Sequence, residues 1–407
     1  MGCSCAASQA STPRVAKVEV AEVSELPDTP RTGVEEESGL SPRPKLLRKW
    51  SQNSLESESS LLSLERRAAG HGGNSILKYV DKHAPEVPEI PEFVMKVWDD
   101  TEACFYKELI ATGDSLLPFV PTFHGEVDPE DLPADLEGGS YMRLSNVLRR
   151  CSANPNVMDC KLGIRSFEES EVQSPKLRED LYKKLVELDP AAPTRQEHEA
   201  GAVTKYRWMS ANDAWTSLQS HGFRIDGLEN CNGKVSKKRL RELRSLSDVA
   251  SIIVEELMLS GQGASCRSKT GTGMVSPASA PRDMRLASAA AKSVLWQLCR
   301  MREAMMVSEL VRSHSFVGTS LLFVVDARGP TAGVALIDFA HTVPLPEGVS
   351  VDHRRPWEVG NHEDGILFGM DNMIQCWEMV LKRLAGEEGS SLAVKSTEPL
   401  MWCCATE

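Results

Sequence analysis

A few side chains in this sequence carry charge where an apolar strand would normally exclude it. Asp159 and Lys161 stand two apart in Val157-Met-Asp-Cys-Lys-Leu-Gly163, so an extended segment turns both to one face. An acid and an amine side by side at a strand end can hold a metal-bound phosphate and neutralise its charge. A surface ion pair is the competing reading of the same two residues. Asp338 ends the apolar run Val334-Ala-Leu-Ile337. A carboxylate there is costly unless it is paired, caps the strand end or holds a cation. Lys96, in Phe93-Val-Met-Lys-Val97, is either an ordinary strand lysine or a partner for phosphates. Gly271-Thr-Gly273 lacks the Lys-Ser/Thr of a phosphate loop and is set aside.

The elements that must position these residues follow from periodicity. Ser75–Val80 and Glu92–Val97 predict short strands. Asp100–Ile110 predicts a helix with Cys104, Phe105, Leu109 and Ile110 at helical spacing. Pro118–His124 and Ser140–Leu144 read as extended. Residues 165–220 are charged and helical, 236–259 an amphipathic helix, 260–282 a Gly/Ser/Thr/Pro-rich loop and 283–312 a second helix. The apolar runs Thr319–Val325 and Gly333–Phe339 flank Asp326-Ala-Arg-Gly-Pro330, which has hairpin chemistry, and a last helix follows Asp364. Strands first, helices later and a late hairpin predict an α+β chain of two lobes. Residues 1–68 are rich in Ser and Pro and poor in aromatics, so they read as a disordered tail that cannot offset its ordering entropy.

Composition excludes several classes. The net charge of −12 disfavours nucleic acid as a partner. No apolar run approaches the roughly 20 residues of a membrane span, and no apolar h-region follows Met1. The 11 cysteines are odd in number and form no CxxC pair, which argues against a disulfide framework or zinc site and suits a reducing cytosol.

Four ordered motifs then resemble the inositol polyphosphate kinase family, and within it the inositol-trisphosphate 3-kinases. They are Pro155-Asn-Val-Met-Asp159-Cys-Lys161-Leu-Gly163, Gly318-Thr-Ser320-Leu-Leu-Phe323, Ile337-Asp338-Phe339 and His353-Arg-Arg-Pro-Trp-Glu-Val-Gly-Asn-His-Glu-Asp-Gly365. The stretches Pro175–Lys184, Asp189–Thr194 and Ala202–Lys205 resemble the long insert of the 3-kinases, most of which the multikinases and hexakisphosphate kinases lack. The resemblance implies a two-lobed kinase-like fold over 69–386, with lobes at about 69–150 and 151–386, a substrate-binding helical insert at about 165–220 and a tail at 387–407.

It also implies ATP and Mg²⁺ as co-substrate and cofactor, and inositol 1,4,5-trisphosphate as acceptor. Ser75 and Lys96 would touch the ATP phosphates, and Ser145, Asn146 and Val147 would form the hinge. Asp338 would hold Mg²⁺ with Ser320 nearby, as in the hydrophobic-strand, Asp-Phe-small setting of protein kinases. Asp159, Lys161 and Asp338 would be catalytic, Asp159 facing either the nucleotide or the acceptor hydroxyl. Lys161, Arg178, Lys205, Tyr206, Arg207, Trp208, Met209 and His341 would surround the substrate phosphates. Several cations around one polyanion give charge-assisted hydrogen bonds.

Three positions depart from the family pattern: His341 replaces the lysine after Asp-Phe-Gly, Asn212 an arginine and Glu229 a lysine. They keep open a broader multikinase and a non-catalytic inositol-phosphate-binding scaffold. The family associates the insert helix Asp180-Leu181-Tyr182-Lys183-Lys184-Leu185-Val186-Glu187-Leu188 with Ca²⁺/calmodulin, and Lys45-Leu-Leu-Arg-Lys-Trp50 is a second basic candidate. Met1-Gly2-Cys3-Ser4-Cys5 resembles the start of dually acylated proteins, with Gly2 myristoylated and Cys3 or Cys5 palmitoylated, although Ala6 departs from that motif. A cytoplasmic protein attached to membranes by its N-terminus is the corresponding expectation.

Overall fold

The computed structural model describes residues 76–78, 90–132, 136, 138–151, 155–260, 280–326 and 329–386. Ser75, the acylation candidates Gly2, Cys3 and Cys5, the basic segment at 45–50, both tails and most of the 260–282 loop lie outside these residues.

Near the start of the described chain come β1 (Ile76–Lys78), β2 (Phe93–Val97), α1 (Asp100–Thr112), β3 (Phe123–Glu126) and β4 (Tyr141–Ser145). The strands form one sheet in the order β1-β2-β4-β3. Asp99 caps α1 by accepting from the Glu102 amide, and Gly113 ends it in the left-handed region. The helix buries Ala103, Phe105, Tyr106 and Leu109 but leaves Cys104 and Ile110 exposed, which corrects the stripe read from the sequence. The true inward stripe is 102, 105, 106 and 109, which follows helical spacing equally well and includes a glutamate.

After the connection through Asn146–Arg150 comes β5 (Asn156–Leu162), then a helical excursion. That excursion contains α2 (Glu169–Val172), β6 (Leu177–Arg178), α3 (Glu179–Leu188), α4 (Arg195–Ala200), β7 (Val203–Thr204), α5 (Lys205–Trp215) and α6 (Leu218–His221). β6 pairs with β7, and Leu181, Leu185 and Val203 make a small core of their own, with Trp208 packed against it.

The chain returns through β8 (Phe223–Asn230), β9 (Gly233–Lys234), α7 (Lys237–Arg241), α8 (Leu246–Ile252), α9 (Ala280–Val307), α10 (Glu309–Ser313), β10 (His314–Phe316), β11 (Ser320–Val325), β12 (Ala332–Ile337), β13 (Thr342–Pro344) and α11 (Ile366–Leu384). A second sheet runs β12-β11-β5-β8-β9, with α9 and α11 packed together beside it. The helix expected over 236–259 is broken, because Ser245 and Asp248 form a capping box that restarts it as α8. α9 starts at Ala280, inside the stretch expected to be loop.

Along β5 the side chains alternate. Met158, Cys160 and Leu162 enter the main core, and Asp159 and Lys161 share the other face. At the end of that strand Gly163 has φ of 109°, and a Cβ there would lie 2.8 Å from the Asp364 carbonyl oxygen. Only glycine fits this close approach.

Candidate active site

A lysine bridges the two larger sheets. Lys96 on β2 donates to Asp338 Oδ1 at 2.7 Å and to Glu102 Oε1 at 2.9 Å. Glu102, on α1, is 1% exposed, whereas Asp338 is 38% exposed. Burial alone would lower the Lys96 pKa, but Asp338 and Glu102 outweigh it and hold the ammonium above its ordinary value. Burial raises Glu102 more than Lys96 lowers it. The Phe339 amide also donates to Glu102. The Phe339 ring packs 4.6 Å from Phe105 and 5.4 Å from Tyr106, centroid to centroid. The segment after β12 is thus pinned to α1 by both an aromatic cluster and a charge cluster.

Asp338 itself sits at φ of 65°, a conformation rare outside glycine. Such backbone persists where the surroundings over-determine it, and functional sites are a common place to find it.

Asp159 faces the same seam. Ser320, on the neighbouring β11, donates to its carboxylate, while Asp159 Oδ1 is buried without a hydrogen bond. Burial, then Asp338 and Asp226, push the Asp159 pKa up to about 7 against the opposing effects of Lys161 and Ser320. A buried carboxylate oxygen without a partner, beside an exposed carboxylate and a hydroxyl, suits a hard divalent cation, which prefers oxygen ligands. Lys161 donates to the Gly318 carbonyl at 2.7 Å. A Cβ on Gly318 would lie 3.4 Å from His341 and 3.8 Å from the Lys161 ammonium, so both border the same glycine.

The connection between the sheets is held by its own side chains. Asn146 donates to the Pro91 carbonyl and accepts from the Leu148 amide, and Val147 is buried. The Ser145 hydroxyl lies 3.0 Å from His124 Nε2.

The remaining cations named from the sequence are already paired. Arg178 makes two 2.7 Å bonds to Asp180. Lys205 pairs with Glu171, and Arg207 with Glu197 at 2.8 Å. His341 Nδ1 lies 2.6 Å from Glu168. Tyr206 packs edge-on against Phe167, Trp208 packs against the insert's small core and Met209 is half-buried on α5. The structure therefore brings Lys96, Asp159, Lys161, Ser320, His341 and Asp338 together. It places Arg178, Lys205 and Arg207 on the insert, each facing a carboxylate.

Sequence reasoning missed Glu102, Glu168, Arg224 and Asp226. Glu102 had a signal, since it falls on the apolar stripe of α1 where a carboxylate needs a partner.

Two antiparallel sheets joined through Asn146–Arg150, with a lysine of one reaching a carboxylate at the end of the other, define the architecture. The profile described as inositol polyphosphate kinase matches residues 141–378. The chain belongs to the inositol polyphosphate kinase family. It is 38% identical over 266 residues to inositol-trisphosphate 3-kinase A of Rattus norvegicus, covering 64% of this chain and 50% of that protein. It is 33% identical over 271 residues to an inositol-trisphosphate 3-kinase homolog of Caenorhabditis elegans, covering 66% of this chain and 48% of that protein. The chain spans about half the length of these curated relatives. A solved inositol phosphate multikinase from S. cerevisiae, in complex with ADP and Mn²⁺, overlays with a TM-score of 0.44 at 19% identity, covering 71% of this chain and 99% of that chain.

Proposed function

We propose that the protein transfers the γ-phosphate of ATP to the 3-hydroxyl of inositol 1,4,5-trisphosphate, giving the 1,3,4,5-tetrakisphosphate. The observation that carries this reading is the reach of Lys96 from one sheet to Asp338 at the end of the other, in a chain whose curated relatives are named for this activity. Lys96 is placed to meet the nucleotide phosphates, with adenine against Ser145, Asn146 and Val147. Asp338, Asp159 and Ser320 are the groups to hold Mg²⁺. When bound, the ion neutralises charge on the phosphate oxygens.

Phosphoryl transfer asks the protein mainly for position and for charge where negative charge develops. Lys161 supplies a cation on the face it shares with Asp159. The carbonyl of Gly318 fixes its amine. Arg178, Lys205, Arg207 and His341 bind the substrate phosphates by exchanging their internal carboxylates for them.

Incubating the full chain with the trisphosphate and Mg-ATP, then resolving products by position, tests the reading. Phosphate gained at position 3 supports it. No gain, or gain at position 6 alone, sinks it. A second reading, a broader multikinase, draws on His341. It gains support if the trisphosphate and its 3-phosphorylated product are accepted equally.

Regulation is part of the same proposal. A calmodulin response through Asp180–Leu188 requires α3 to undock, because Leu181 and Leu185 are buried within the insert. Acylation at Gly2, Cys3 and Cys5 would attach an otherwise cytoplasmic protein to membranes, since stable anchoring takes two lipid signals. Gly2→Ala should shift the protein from the membrane fraction to the cytosol, and equal membrane recovery of both forms refutes the attachment.

A further inference from the structure

The strand beside β5 carries an irregularity at the site. β5 and β8 pair with Asp159 opposite Gly227, Cys160 opposite Ile225 and Lys161 opposite Arg224. One residue of β8, Asp226, is therefore the extra residue of a β-bulge. Bulges re-aim side chains and concentrate beside active sites.

Asp226 is not free. Arg224 Nε donates to its Oδ1 at 2.6 Å. The same guanidinium uses Nη1 to donate to Asp213 Oδ1, also at 2.6 Å. Arg224 is 13% exposed and Asp213 3%. Asp213 lies on α5, the helix that starts with Lys205 and carries Arg207. It also accepts from the Ser166 amide at 2.8 Å and from the Ser166 hydroxyl. One planar fork thus joins the insert helix to the bulge beside the two β5 residues of the site.

Charge gives this arrangement a purpose. Lys161 and Arg224 are directly opposed cations, which is unfavourable for a cross-strand pair unless an anion intervenes. Asp226 supplies that anion. Lys161, across the strand pair, in turn helps hold Asp226 ionised. Burial opposes ionisation of Asp226, but Arg224 and Lys161 outweigh it. Arg224 is likewise held charged against burial by Asp226 and Asp213.

We propose that Asp213, Arg224 and Asp226 form a positioning network in which Asp226 sets the Lys161 ammonium beside the reacting phosphate and Asp213 ties that setting to the phosphate-binding insert. The inference rests on the kinase reading given above. The three residues act through Lys161 and α5. None of them takes part in bond making. Arg suits the central place because its fixed fork serves two carboxylates at once, which a lysine cannot reproduce.

The test uses Asp226→Asn, Asp226→Glu and Asp213→Asn in the full chain, with kcat, the KM for the trisphosphate and the melting temperature measured for each. Asp226→Asn should lower kcat by about tenfold or more while KM stays within about threefold, the signature of an interaction lost mainly at the chemical step. Asp226→Glu should restore most of that loss. Asp213→Asn should instead raise KM more than it lowers kcat. A kcat within about twofold of wild type in Asp226→Asn overturns the proposal. So does a loss that Glu does not restore and that follows the fall in melting temperature.

A wild-type protein that phosphorylates no inositol phosphate overturns the kinase reading instead. The network is then judged by labelling of Lys161 with pyridoxal phosphate, read by peptide mapping. A rate altered at least about threefold in Asp226→Asn supports it, and an unaltered rate overturns it.

Discussion

The seam between the two sheets and the helical insert handle charge in opposite ways. At the seam, Lys96 and Glu102 are an ion pair whose acid is 1% exposed, clamped by the Phe105–Phe339 contact. The partner is built in and has nowhere to go. On the insert, Arg178 and Asp180 are each about half exposed, as is Lys205 against Glu171. Surface pairs of this kind contribute roughly 0–1 kcal/mol, so a polyanion can displace them cheaply. The difference separates two tasks. On the proposed reading, the seam holds the catalytic groups in one geometry, whereas the insert keeps its cations satisfied until a ligand with more charge arrives.

The largest effect that this contrast predicts is at Asp338. Asp338→Asn keeps the size and polarity of the side chain but removes the charge that would hold a metal ion. Turnover should fall by about 100-fold or more, as when one preorganised electrostatic group is lost. Binding of the trisphosphate, measured by calorimetry, should stay near the wild-type value, because the insert is untouched. Near-wild-type turnover would refute the metal assignment.

Next comes the seam's stability. Lys96→Met leaves Glu102 buried beside an apolar chain, and breaking a buried pair in this way costs about 3–5 kcal/mol. The loss should be visible in urea unfolding. The double change Lys96→Met with Glu102→Met should recover a large part of it, since no lone buried charge remains. A single mutant as stable as wild type would mean that the seam behaves like the insert, and the contrast would fail.

How far each region could be read from the sequence follows from the same physics. Asp159 and Lys161 were legible because strand periodicity puts residues two apart on one face. Asp338 was legible because a carboxylate after an apolar strand is costly and asks for a reason. Both readings are local. Glu102 was half legible, since the helix phase of α1 can be drawn through Cys104 and Ile110 or through Glu102 and Leu109, and only packing against Phe339 chooses between them. Asp226 was hidden because its direction depends on a bulge, and pairing register is not written in either strand alone. The pairing of His341 with Glu168 joins residues 173 apart, beyond the reach of any local pattern. The fold class was accessible from the order of strands and helices together with the family motifs. The break at Ser245 was also readable, as a Ser followed three residues later by an Asp, but helical amphipathicity ran through it.

A smaller effect is expected on the insert. Lys205→Ala removes one exposed cation from the proposed phosphate site. Its stability cost should stay within about 1 kcal/mol, because Lys205 itself is about half exposed. Trisphosphate affinity should fall by about tenfold, the value of roughly one charge-assisted contact. The loss should shrink as salt rises, since screening weakens exposed charges. A melting temperature that drops while affinity holds would make Lys205 a structural residue and move the phosphate site elsewhere.

The smallest effect sharpens the contrast most, because it reverses the usual direction of a mutation. Glu168 holds His341 at 2.6 Å, next to the glycine that also borders Lys161. In the substrate-free protein this carboxylate occupies a group proposed to receive a phosphate. It is an anion beside the proposed phosphate site, held on Nδ1 while the Cδ2 edge of the ring faces Gly318. Glu168→Gln keeps the shape and can still hydrogen-bond, but it removes the negative charge that repels an arriving phosphate. The KM for the trisphosphate should therefore improve by about two- to threefold, which is the scale of a partly exposed pair worth well under 1 kcal/mol. Stability should change little for the same reason. His341→Ala in the same background should abolish the gain, because the competition acts through that ring. If Glu168→Gln weakens binding instead, Glu168 supports the site by fixing the imidazole, and His341 then belongs with the preorganised seam and not with the exchangeable cations of the insert.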